Sequence, residues 1–328
     1  MACYLVTGGA GFIGSHLVDN LLLEGHSVRV IDDLSSGNAG NVPPAAAMMV
    51  GDIRNQSVLR AALDDVDGCF HLAAIASVAY YRNNWVQGNA VNLGGTITVF
   101  DEVRRAQLRY RRSIPIVYAS SASVYGNICN VPVAEDAPTR PINGYGADKL
   151  SCELHAAVAA SVHDISTVGL RFFNVYGPRQ DPNSPYSGVI SIFCERMSLA
   201  RPITIHGDGR QVRDFIYVDD VVRAIRRAMD TACSVPQVFN VCTGIGTTIS
   251  DLAGKIGHIH GIPPKIGYEP ARAGDIGVSI GDQSLMLEKL RFSATVPLEA
   301  GLRRIIPAER KNGDRRAVAG GLMTMSGQ

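Results

Sequence analysis

The chain has 328 residues, of which 46% are hydrophobic and 19% charged, and its formal net charge is +1. This is an ordinary globular composition, and the near-neutral total gives no sign of a nucleic-acid or acidic-membrane partner. The length exceeds what a single hydrophobic core usually serves, so two lobes are expected.

The seven cysteines are odd in number and lie far apart along the chain. They form no CxxC pair, so no metal site is predicted. We expect reduced, mostly buried thiols in a reducing compartment, which favours the cytoplasm. No apolar run approaches the ~20 residues that span a bilayer, and no basic lead of a signal peptide precedes the first strand.

The first half of the chain alternates short apolar runs with helical patterns. Residues 5–7 and 28–31 predict two strands, and apolar residues recur between them at helical spacing. Further strands are predicted at residues 48–50, 69–72, 114–118 and 167–171. Near-continuous apolar strands separated by helices indicate a parallel sheet that is covered on both faces.

The pattern changes after about residue 174, where prolines and glycines become dense. We expect a nucleotide-binding domain over residues 1–173, with later segments near 213–243 returning to it. A smaller, mainly substrate-binding lobe is expected over residues 174–306. Residues 307–328 are rich in Arg, Gly and Ala with weak periodicity, and they predict a flexible tail.

The stretch TGGAGFIGSHL at residues 7–17 follows the first predicted strand and opens a helix. Its spaced glycines permit a tight turn and let the backbone approach a pyrophosphate, while the helix N-terminus offers free amides. An acidic residue about 20 positions on should bind the adenosine ribose, and Asp32 stands there. An acid disfavours a 2′-phosphate, so NAD is predicted rather than NADP. The predicted fold class is α/β, a Rossmann-type doubly wound parallel sheet with a smaller C-terminal substrate-binding lobe.

A bound nicotinamide implies hydride chemistry, and YGADK at residues 145–149 offers a proton-transfer group. Tyr145 and Lys149 are four apart, so on a helix they share one face. A free phenol has a pKa of about 10, and a neighbouring ammonium favours the phenolate. YASSASVYG at residues 118–126 brings hydroxyls to the carboxyl edge of the sheet, where such folds bind ligands. A surface tyrosine beside a solvated lysine is the alternative when the YxxxK pattern stands alone.

Together these motifs resemble the extended short-chain dehydrogenase/reductase family and, within it, the nucleotide-sugar 4-epimerases. The resemblance runs from about residue 3 to residue 300. It includes GDIR at 51–54, FHLAA at 70–74, VNLGGT at 91–96, LRFFNVYGPRQDP at 170–182 and GDGRQVRDFIYVDD at 207–220. It implies an NAD-dependent enzyme that acts on a UDP-sugar and forms a homodimer through helices near residues 95–110 and 145–162.

The resemblance also implies roles for individual residues. Tyr145 would be the acid/base, Lys149 would hold the nicotinamide ribose and tune Tyr145, and Ser121 would hydrogen-bond the reacting 4-hydroxyl. The implied NAD contacts are Gly8, Gly11, Phe12, Ile13, Gly14, Asp32, Asp33, Asp52, Ile53, Ala73, Ala74, Asn92, Tyr145 and Lys149. The implied substrate contacts are Ser121, Asn174, Val189, Arg213, Arg272 and Ser279. The arginines suit a diphosphate because a guanidinium can donate two parallel hydrogen bonds, and surface ion pairs are their alternative role.

The implied reaction is epimerisation at carbon 4 through a transient 4-keto sugar that rotates and presents its other face. Dehydratases of the family carry an acidic pair directly after the Ser/Thr of this strand end, and decarboxylating relatives usually have a glutamate there. Here Ala122 and Ser123 follow Ser121, so neither group is in place. A non-catalytic NAD-binding protein is the distant alternative, which the presence of all three of Tyr145, Lys149 and Ser121 disfavours.

Ser279, within RAGDIGVSIGD at residues 272–282, aligns with the wall of the family's sugar pocket. Relatives restricted to plain hexoses tend to have a tyrosine there, and those that accept N-acetyl hexosamines tend to have a small residue. UDP-N-acetylglucosamine and UDP-N-acetylgalactosamine are therefore the expected substrates. UDP-glucose and UDP-galactose, or UDP-hexuronates, are the alternatives.

The segment over residues 77–89 departs from the more regular polar helix usual in relatives. Tyr80, Tyr81 and Trp85 recur there at spacings of four and five. We predict that they fill the core rather than form an aromatic face over the cofactor.

Overall fold

The computed structural model describes residues 1–128, 130–182, 184, 188–271 and 274–306. The tail predicted over residues 307–328 lies outside these ranges. In the described part the strands are β1 (Cys3–Thr7), β2 (Ser27–Asp32), β3 (Ala47–Val50), β4 (Gly68–His71), β5 (Ile116–Ser121), β6 (Thr167–Phe172), β7 (Asn174–Tyr176), β8 (Ile203–His206), β9 (Val212–Tyr217), β10 (Gln237–Val241), β11 (Gly246–Thr248), β12 (Ile266–Glu269) and β13 (Val278–Ser279). The helices are α1 (Phe12–Leu23), α2 (Gln56–Ala62), α3 (Val78–Tyr81), α4 (Trp85–Asn89), α5 (Gly95–Tyr110), α6 (Gly144–His163), α7 (Val189–Ser198), α8 (Val218–Thr231), α9 (Ile249–His260), α10 (Ser284–Leu290) and α11 (Leu298–Ile305).

Seven of the strands form one parallel sheet in the order β10-β6-β5-β4-β1-β2-β3. β4 and β6 are buried along their whole length, as is typical of strands in a parallel sheet that is covered on both faces. The predicted α/β class and the doubly wound parallel sheet are confirmed.

Helices cover both faces of this sheet. α1, α8 and α10 pack on one face, in an apolar cluster that includes Leu17 and Phe70. α2, α5 and α6 pack on the other face, in a cluster that includes Leu5 and Val99. Each fully buried side chain of this size contributes roughly 1.5–3 kcal/mol, so these two clusters hold the sheet and its helices together.

A second lobe is built around β9. β7 and β13 pair with β9 in parallel, β11 pairs with it antiparallel, and β8 and β12 form a separate parallel pair. α7, α9 and α11 bury a third apolar cluster here, including Phe193 and Leu252. Between these elements the chain returns to the large sheet, because α8 packs against α1 and β10 pairs with β6.

The strand order reverses at β1, which lies between β4 and β2. From β1 the chain continues outward through β2 and β3, whereas β4, β5 and β6 are added on the opposite side. Open parallel sheets bind ligands at such a reversal, in the crevice at the carboxyl ends of the strands. The glycine-rich loop after β1 and the turn at residues 72–75 after β4 border this crevice.

Three predictions from composition can be compared with the described residues. Within them, no helix has the length and apolar character to cross a bilayer, and no group of three or more His, Cys, Asp or Glu side chains could hold a metal ion. The six cysteines in this part of the chain are free thiols.

The predicted burial of the aromatic residues near residue 80 is only partly right. Tyr81 is buried, as predicted, but the assignment of Trp85 to the core is wrong because Trp85 is 66% exposed on the short surface helix α4.

Candidate active site

The loop between β1 and α1 is closed so tightly that only glycine fits at two positions. Gly8 has a φ of +70°, and a Cβ there would lie 2.7 Å from the amide nitrogen of Ala73 in the turn after β4. A Cβ on Gly14 would overlap the carbonyl oxygen of Gly8. Gly11 caps α1 without a side chain, and the amides of residues 12–14 have no partner within the helix. This arrangement fits a pyrophosphate group.

Asp32 ends β2 beside this loop and is buried. Its carboxylate accepts hydrogen bonds from the amides of Ala10 at 3.0 Å and Leu34 at 2.9 Å, which fix its orientation. Burial raises the pKa of Asp32, and these hydrogen bonds oppose the rise. Each carboxylate oxygen has a further lone pair, so the side chain can also accept a ribose hydroxyl. The geometry therefore fits the adenosine end of NAD.

The other residues expected near the adenosine differ in their surroundings. Asp33 is exposed and accepts the amide of Ser35 at 2.9 Å. Asp52 accepts the amide of Arg54 at 2.8 Å, and hydrogen bonds from the guanidinium of Arg54 lower the pKa of Asp52. Ile53 is buried and occupies the space beside a glycine of α5 where a Cβ would sit. Ile53 therefore packs the loop after β3 against α5.

Asn92 holds the turn after β4. Its Oδ1 accepts the amide of Ile75 at 2.7 Å, and its Nδ2 donates to the carbonyl of Ile75 at 3.1 Å. Ala73 and Ala74 lie on this turn and are half-buried. Because both polar atoms of Asn92 bond the backbone, its side chain sets the shape of the crevice wall that the two alanines form.

A buried histidine, His71, is hydrogen-bonded next to the turn that forms this crevice wall. The Nδ1 atom of His71 lies 2.8 Å from Oγ1 of Thr7, and its Nε2 lies 3.0 Å from Oγ1 of Thr96. The hydroxyl oxygen of Thr7 also accepts the amide of Ala73 at 3.1 Å. Burial, and to a smaller extent the charge of Lys149, lowers the pKa of His71 from 6.5 to about 3. The imidazole is therefore neutral at ordinary pH.

Tyr145 stands in the first turn of α6, which Asn143 caps by accepting the amide of Gly146 at 2.8 Å. Lys149 lies one turn further on, with Nζ 5.9 Å from the centre of the Tyr145 ring. Nζ donates to the carbonyl of Ala119 in β5 at 2.8 Å, and an ammonium has two further protons to donate.

Ser121 ends β5, and its Oγ accepts the amide of Ser123 at 3.2 Å. The hydroxyl proton of Ser121 can therefore be donated to a ligand. α6 packs closely on the turn that follows, because a Cβ on Gly146 would lie 2.5 Å from the carbonyl oxygen of Ser123. This contact and the hydrogen bond from Lys149 to β5 bring Tyr145, Lys149 and Ser121 to one corner of the sheet.

A buried ion pair between Arg171 and Glu153 lies next to this corner of the sheet. Arg171 in β6 donates two hydrogen bonds to the carboxylate of Glu153 in α6, at 2.9 and 2.7 Å. Glu153 also accepts the hydroxyl of Ser120 in β5 at 2.5 Å. Burial alone would lower the pKa of Arg171, but its hydrogen bonds with Glu153 outweigh burial and raise it. The pair ties the helix that carries Tyr145 to two strands of the sheet.

The residues expected to bind the rest of the substrate lie in the second lobe. Arg213 in β9 and Ser279 in β13 are register partners, and Asn174 in β7 pairs with β9 two residues further along. Nη2 of Arg213 donates to Asp275 at 2.7 Å, and Nη1 donates to the carbonyl of Val212 at 2.9 Å. Burial lowers the pKa of Arg213, and Asp275 opposes this shift.

Two further residues were expected to contact the substrate, Val189 and Arg272. Val189 begins α7 and packs against the apolar cluster of the second lobe. Arg272 lies outside the described residues. The structure thus groups Arg213, Ser279 and Asn174 around β9.

Three features of the site were not found by sequence reasoning. Asn143 carried a signal, because an asparagine before the first helical turn is a typical N-cap. His71 lies in the FHLAA motif, but a single histidine does not indicate which hydroxyls it contacts. Asp275 meets Arg213 across 62 positions of sequence, and no local pattern predicts such a pair.

Comparisons with known proteins show the family to which the chain belongs. The chain matches the model of the NAD dependent epimerase/dehydratase family over residues 4–242. The UDP-glucose 4-epimerase of Mycolicibacterium smegmatis is 36% identical over 309 residues, which are 92% of this chain and 96% of that protein.

Two solved structures extend the likeness over nearly the whole chain. The UDP-glucose 4-epimerase of Thermotoga maritima, solved with UDP-glucose, has a TM-score of 0.88 at 37% identity and covers 93% of this chain and 97% of its own. The UDP-N-acetylglucosamine 4-epimerase of Methanobrevibacter ruminantium M1, in complex with UDP-N-acetylmuramic acid, has a TM-score of 0.86 at 34% identity with the same coverage. The predicted enzyme class and NAD dependence are confirmed by these matches. The chain belongs to the NAD-dependent epimerase/dehydratase family.

Proposed function

We propose that the chain is a UDP-sugar 4-epimerase whose preferred substrates are UDP-N-acetylglucosamine and UDP-N-acetylgalactosamine. The observation that carries the proposal is the convergence of Tyr145, Lys149 and Ser121 at the carboxyl end of β5. The relatives described above are named UDP-glucose 4-epimerase or UDP-N-acetylglucosamine 4-epimerase. Their names support the reaction type and include both sugar classes.

The three side chains can perform the proton transfers that such a reaction needs. Tyr145, as a phenolate, accepts the proton of the sugar 4-hydroxyl and later returns it to the same oxygen of the rotated 4-keto sugar. Lys149 stabilises the phenolate through its charge and has protons left to donate to a ribose hydroxyl. Ser121 donates its proton to the reacting oxygen and orients it. NAD, when bound, supplies the acceptor and donor of the hydride.

The residues after Ser121 favour a simple epimerisation. Ala122 and Ser123 form the short turn where dehydratases of the family carry an acidic pair. Neither side chain can act as the additional acid or base that elimination of water requires. The chain therefore has the groups that oxidation and reduction at one carbon require. At this turn it has no group for a subsequent elimination.

Ser279 supports the preference for N-acetylated sugars. It is half-buried and lies beside Arg213, the residue expected at the diphosphate. A serine is smaller than the tyrosine expected in hexose-restricted relatives, so it leaves room for an acetamido group. UDP-glucose and UDP-galactose are the second candidates, because a larger pocket need not exclude a smaller sugar.

The test is to incubate the protein with each of four UDP-sugars, without added cofactor, and to separate the products. The two N-acetylated sugars should interconvert faster than UDP-glucose and UDP-galactose. The double variant Tyr145→Phe with Ser121→Ala should form no product while keeping its fold and its NAD content. An active double variant would refute the assigned chemistry.

Ser279→Tyr tests the choice of sugar. It should reduce kcat/KM for the N-acetylated sugars far more than for the plain ones, because the added ring would fill the space for the acetamido group. The measurement is the ratio of the two kcat/KM values in the variant and the wild type. An equal loss for both sugars would mean that Ser279 does not line the sugar pocket.

We also propose that the chain forms a homodimer through α5 and α6. Leu154, Val158 and Val162 recur every four residues on α6 and are 63%, 49% and 65% exposed, and Ile97 and Leu108 of α5 are exposed as well. A stripe of large exposed apolar side chains is typical of a surface that meets a partner.

The free thiols of the described cysteines suit a reducing compartment, so we propose that the protein is located in the cytoplasm.

A further inference from the structure

Asp148 lies between Tyr145 and Lys149 on α6 and is 4% exposed. One of its carboxylate oxygens accepts the hydroxyl of Tyr81 at 2.7 Å, and the other accepts the side-chain amide of Asn89 at 2.7 Å. A buried carboxylate is costly unless donors satisfy its oxygens, so these two bonds fix the side chain. Both donors belong to α3 and α4, which pack against α6.

The ring of Tyr81 fills a slot that two glycines keep open. A Cβ on Gly88 would lie 2.5 Å from this ring, and a Cβ on Gly144 would lie 2.8 Å from it. The edge of the ring meets Tyr145, with the ring centres 6.1 Å apart and an interplanar angle of 71°. Burial, together with the hydrogen bond to Asp148, raises the pKa of Tyr81, so its hydroxyl stays protonated and acts as a donor.

We propose that Tyr81, Asp148 and Asn89, here called the Asp148 clamp, are positioning residues that hold Tyr145 in the orientation that proton transfer requires. Tyr145 lies in the first turn of α6, and helix ends fray. Asp148 is three residues further on and so neighbours Tyr145 on the helix surface. The clamp therefore fastens this turn to α3 and α4 on the side where Tyr81 touches the Tyr145 ring. The inference rests on Tyr145 being the acid–base residue of the proposed function.

Tyr81→Phe tests the clamp because it removes one hydroxyl and keeps the ring in its slot. We expect kcat to fall by about tenfold or more, because small misplacements of a reacting group cost this much. KM for the UDP-sugar should change by less than about twofold, because no substrate contact is altered. Tyr110→Phe is the matched control, since Tyr110 also donates its hydroxyl to an aspartate, Asp64, but at the exposed end of α5. It should leave kcat and KM unchanged.

The chain offers a second readout that does not depend on activity. Trp85 is its single tryptophan, and a Cβ on Gly144 would lie 3.0 Å from the indole nitrogen. Its fluorescence therefore reports whether α4 stays against the start of α6. Acrylamide should quench Trp85 more strongly in Tyr81→Phe than in the wild type.

Two further variants test whether the three residues act together. Asn89→Ala removes the other donor without disturbing the ring slot, and it should also lower kcat and increase quenching. The double variant Tyr81→Phe with Asp148→Ala should lose no more kcat than Asp148→Ala alone, because alanine already removes the acceptor of the Tyr81 hydroxyl.

The outcomes separate the clamp from the proposed function. If the wild type epimerises UDP-sugars and both Tyr81→Phe and Asn89→Ala keep its kcat, the clamp is overturned and the function stands. If the wild type converts none of the sugars, the proposed function fails. The clamp is then judged by fluorescence alone, and it is overturned if Trp85 is quenched equally in the wild type, Tyr81→Phe and Asn89→Ala. A parallel loss of kcat, NAD content and helical structure would indicate a purely structural role and would also overturn it.

Discussion

Replacing His71 with glutamine should make the stability of the protein less sensitive to acid. The hydrogen bonds around His71 define its tautomer. The Oγ1 atom of Thr7 already accepts two backbone amides after β4, so its proton points to Nδ1 of His71. Thr96 donates its proton to the carbonyl of Asn92 at 2.5 Å and so accepts from Nε2. A second proton on the imidazole would therefore enter at Nδ1 and face a donor.

The size of the effect follows from the pKa of His71, which burial lowers from 6.5 to about 3. Below about pH 6.5 the imidazole of His71 takes up a second proton in the unfolded chain but not in the folded protein. The contribution of His71 to stability is therefore fully present above that pH and is lost as the pH falls towards 3. Each pH unit in this window removes about 1.4 kcal/mol. Going from about pH 7.5 to about pH 5 should therefore remove about 2 kcal/mol from the free energy of unfolding.

The assay is urea unfolding with NAD in excess at these two pH values. Glutamine keeps a donor for Thr96 and does not titrate, and any cost of the substitution that is common to both pH values cancels in the difference. The acid-induced loss should be about 2 kcal/mol smaller in His71→Gln than in the wild type. His163→Gln, at an exposed position, is the control and should behave as the wild type does. Equal losses in His71→Gln and the wild type would refute the neutral buried imidazole.

Gly14→Ala should yield protein purified without NAD, measured by absorbance after denaturation, because the new Cβ would overlap the carbonyl oxygen of Gly8. Glu153→Gln should lower the free energy of unfolding by about 3–5 kcal/mol in urea, because it leaves the buried charge of Arg171 without its partner. Leu154→Glu should convert the proposed dimer to a monomer in sedimentation velocity, because a charge would enter the exposed apolar stripe of α6.

Each of these variants has a matched control in the same chain. Gly254→Ala adds a Cβ where no atom lies within 4 Å and should keep its NAD. Glu299→Gln breaks an exposed ion pair with Lys255 and should leave the unfolding midpoint unchanged. Leu23→Glu changes a side chain on α1 that is even more exposed than Leu154, and it should leave the proposed dimer intact. A control that behaves like its test variant would contradict the corresponding reasoning.

The central sheet could be predicted because its strands carry a strong local signal. β4 and β6 are buried along their whole length, and short, mostly apolar runs between helices are typical of a covered parallel sheet. Gly8 and Gly14 were recognisable because no other residue fits their positions. β13 has only two residues and exists through its pairing with β9, so no periodic pattern could have indicated it.

The site could be predicted only where its residues are neighbours in sequence. Tyr145 and Lys149 were found because a helix brings residues four apart to one face. The hydrogen bond between Tyr81 and Asp148 joins residues 67 positions apart and depends on how α3 packs against α6. Trp85 was misplaced because its apolar character predicts burial, whereas its position on a five-residue surface helix leaves the ring exposed.

The return of the chain to the large sheet has a practical consequence for protein engineering. β10 pairs with residues 168–172 of β6, so a fragment ending near residue 173 would leave this edge of β6 with unpaired backbone donors and acceptors, while β5 still pairs with its other edge. Such an edge pairs readily with other chains, and the fragment should aggregate. Chimaeras that exchange sugar specificity between relatives should therefore keep the host's α8, β10 and α10, which pack in the large sheet and on its face, and exchange the elements around β9.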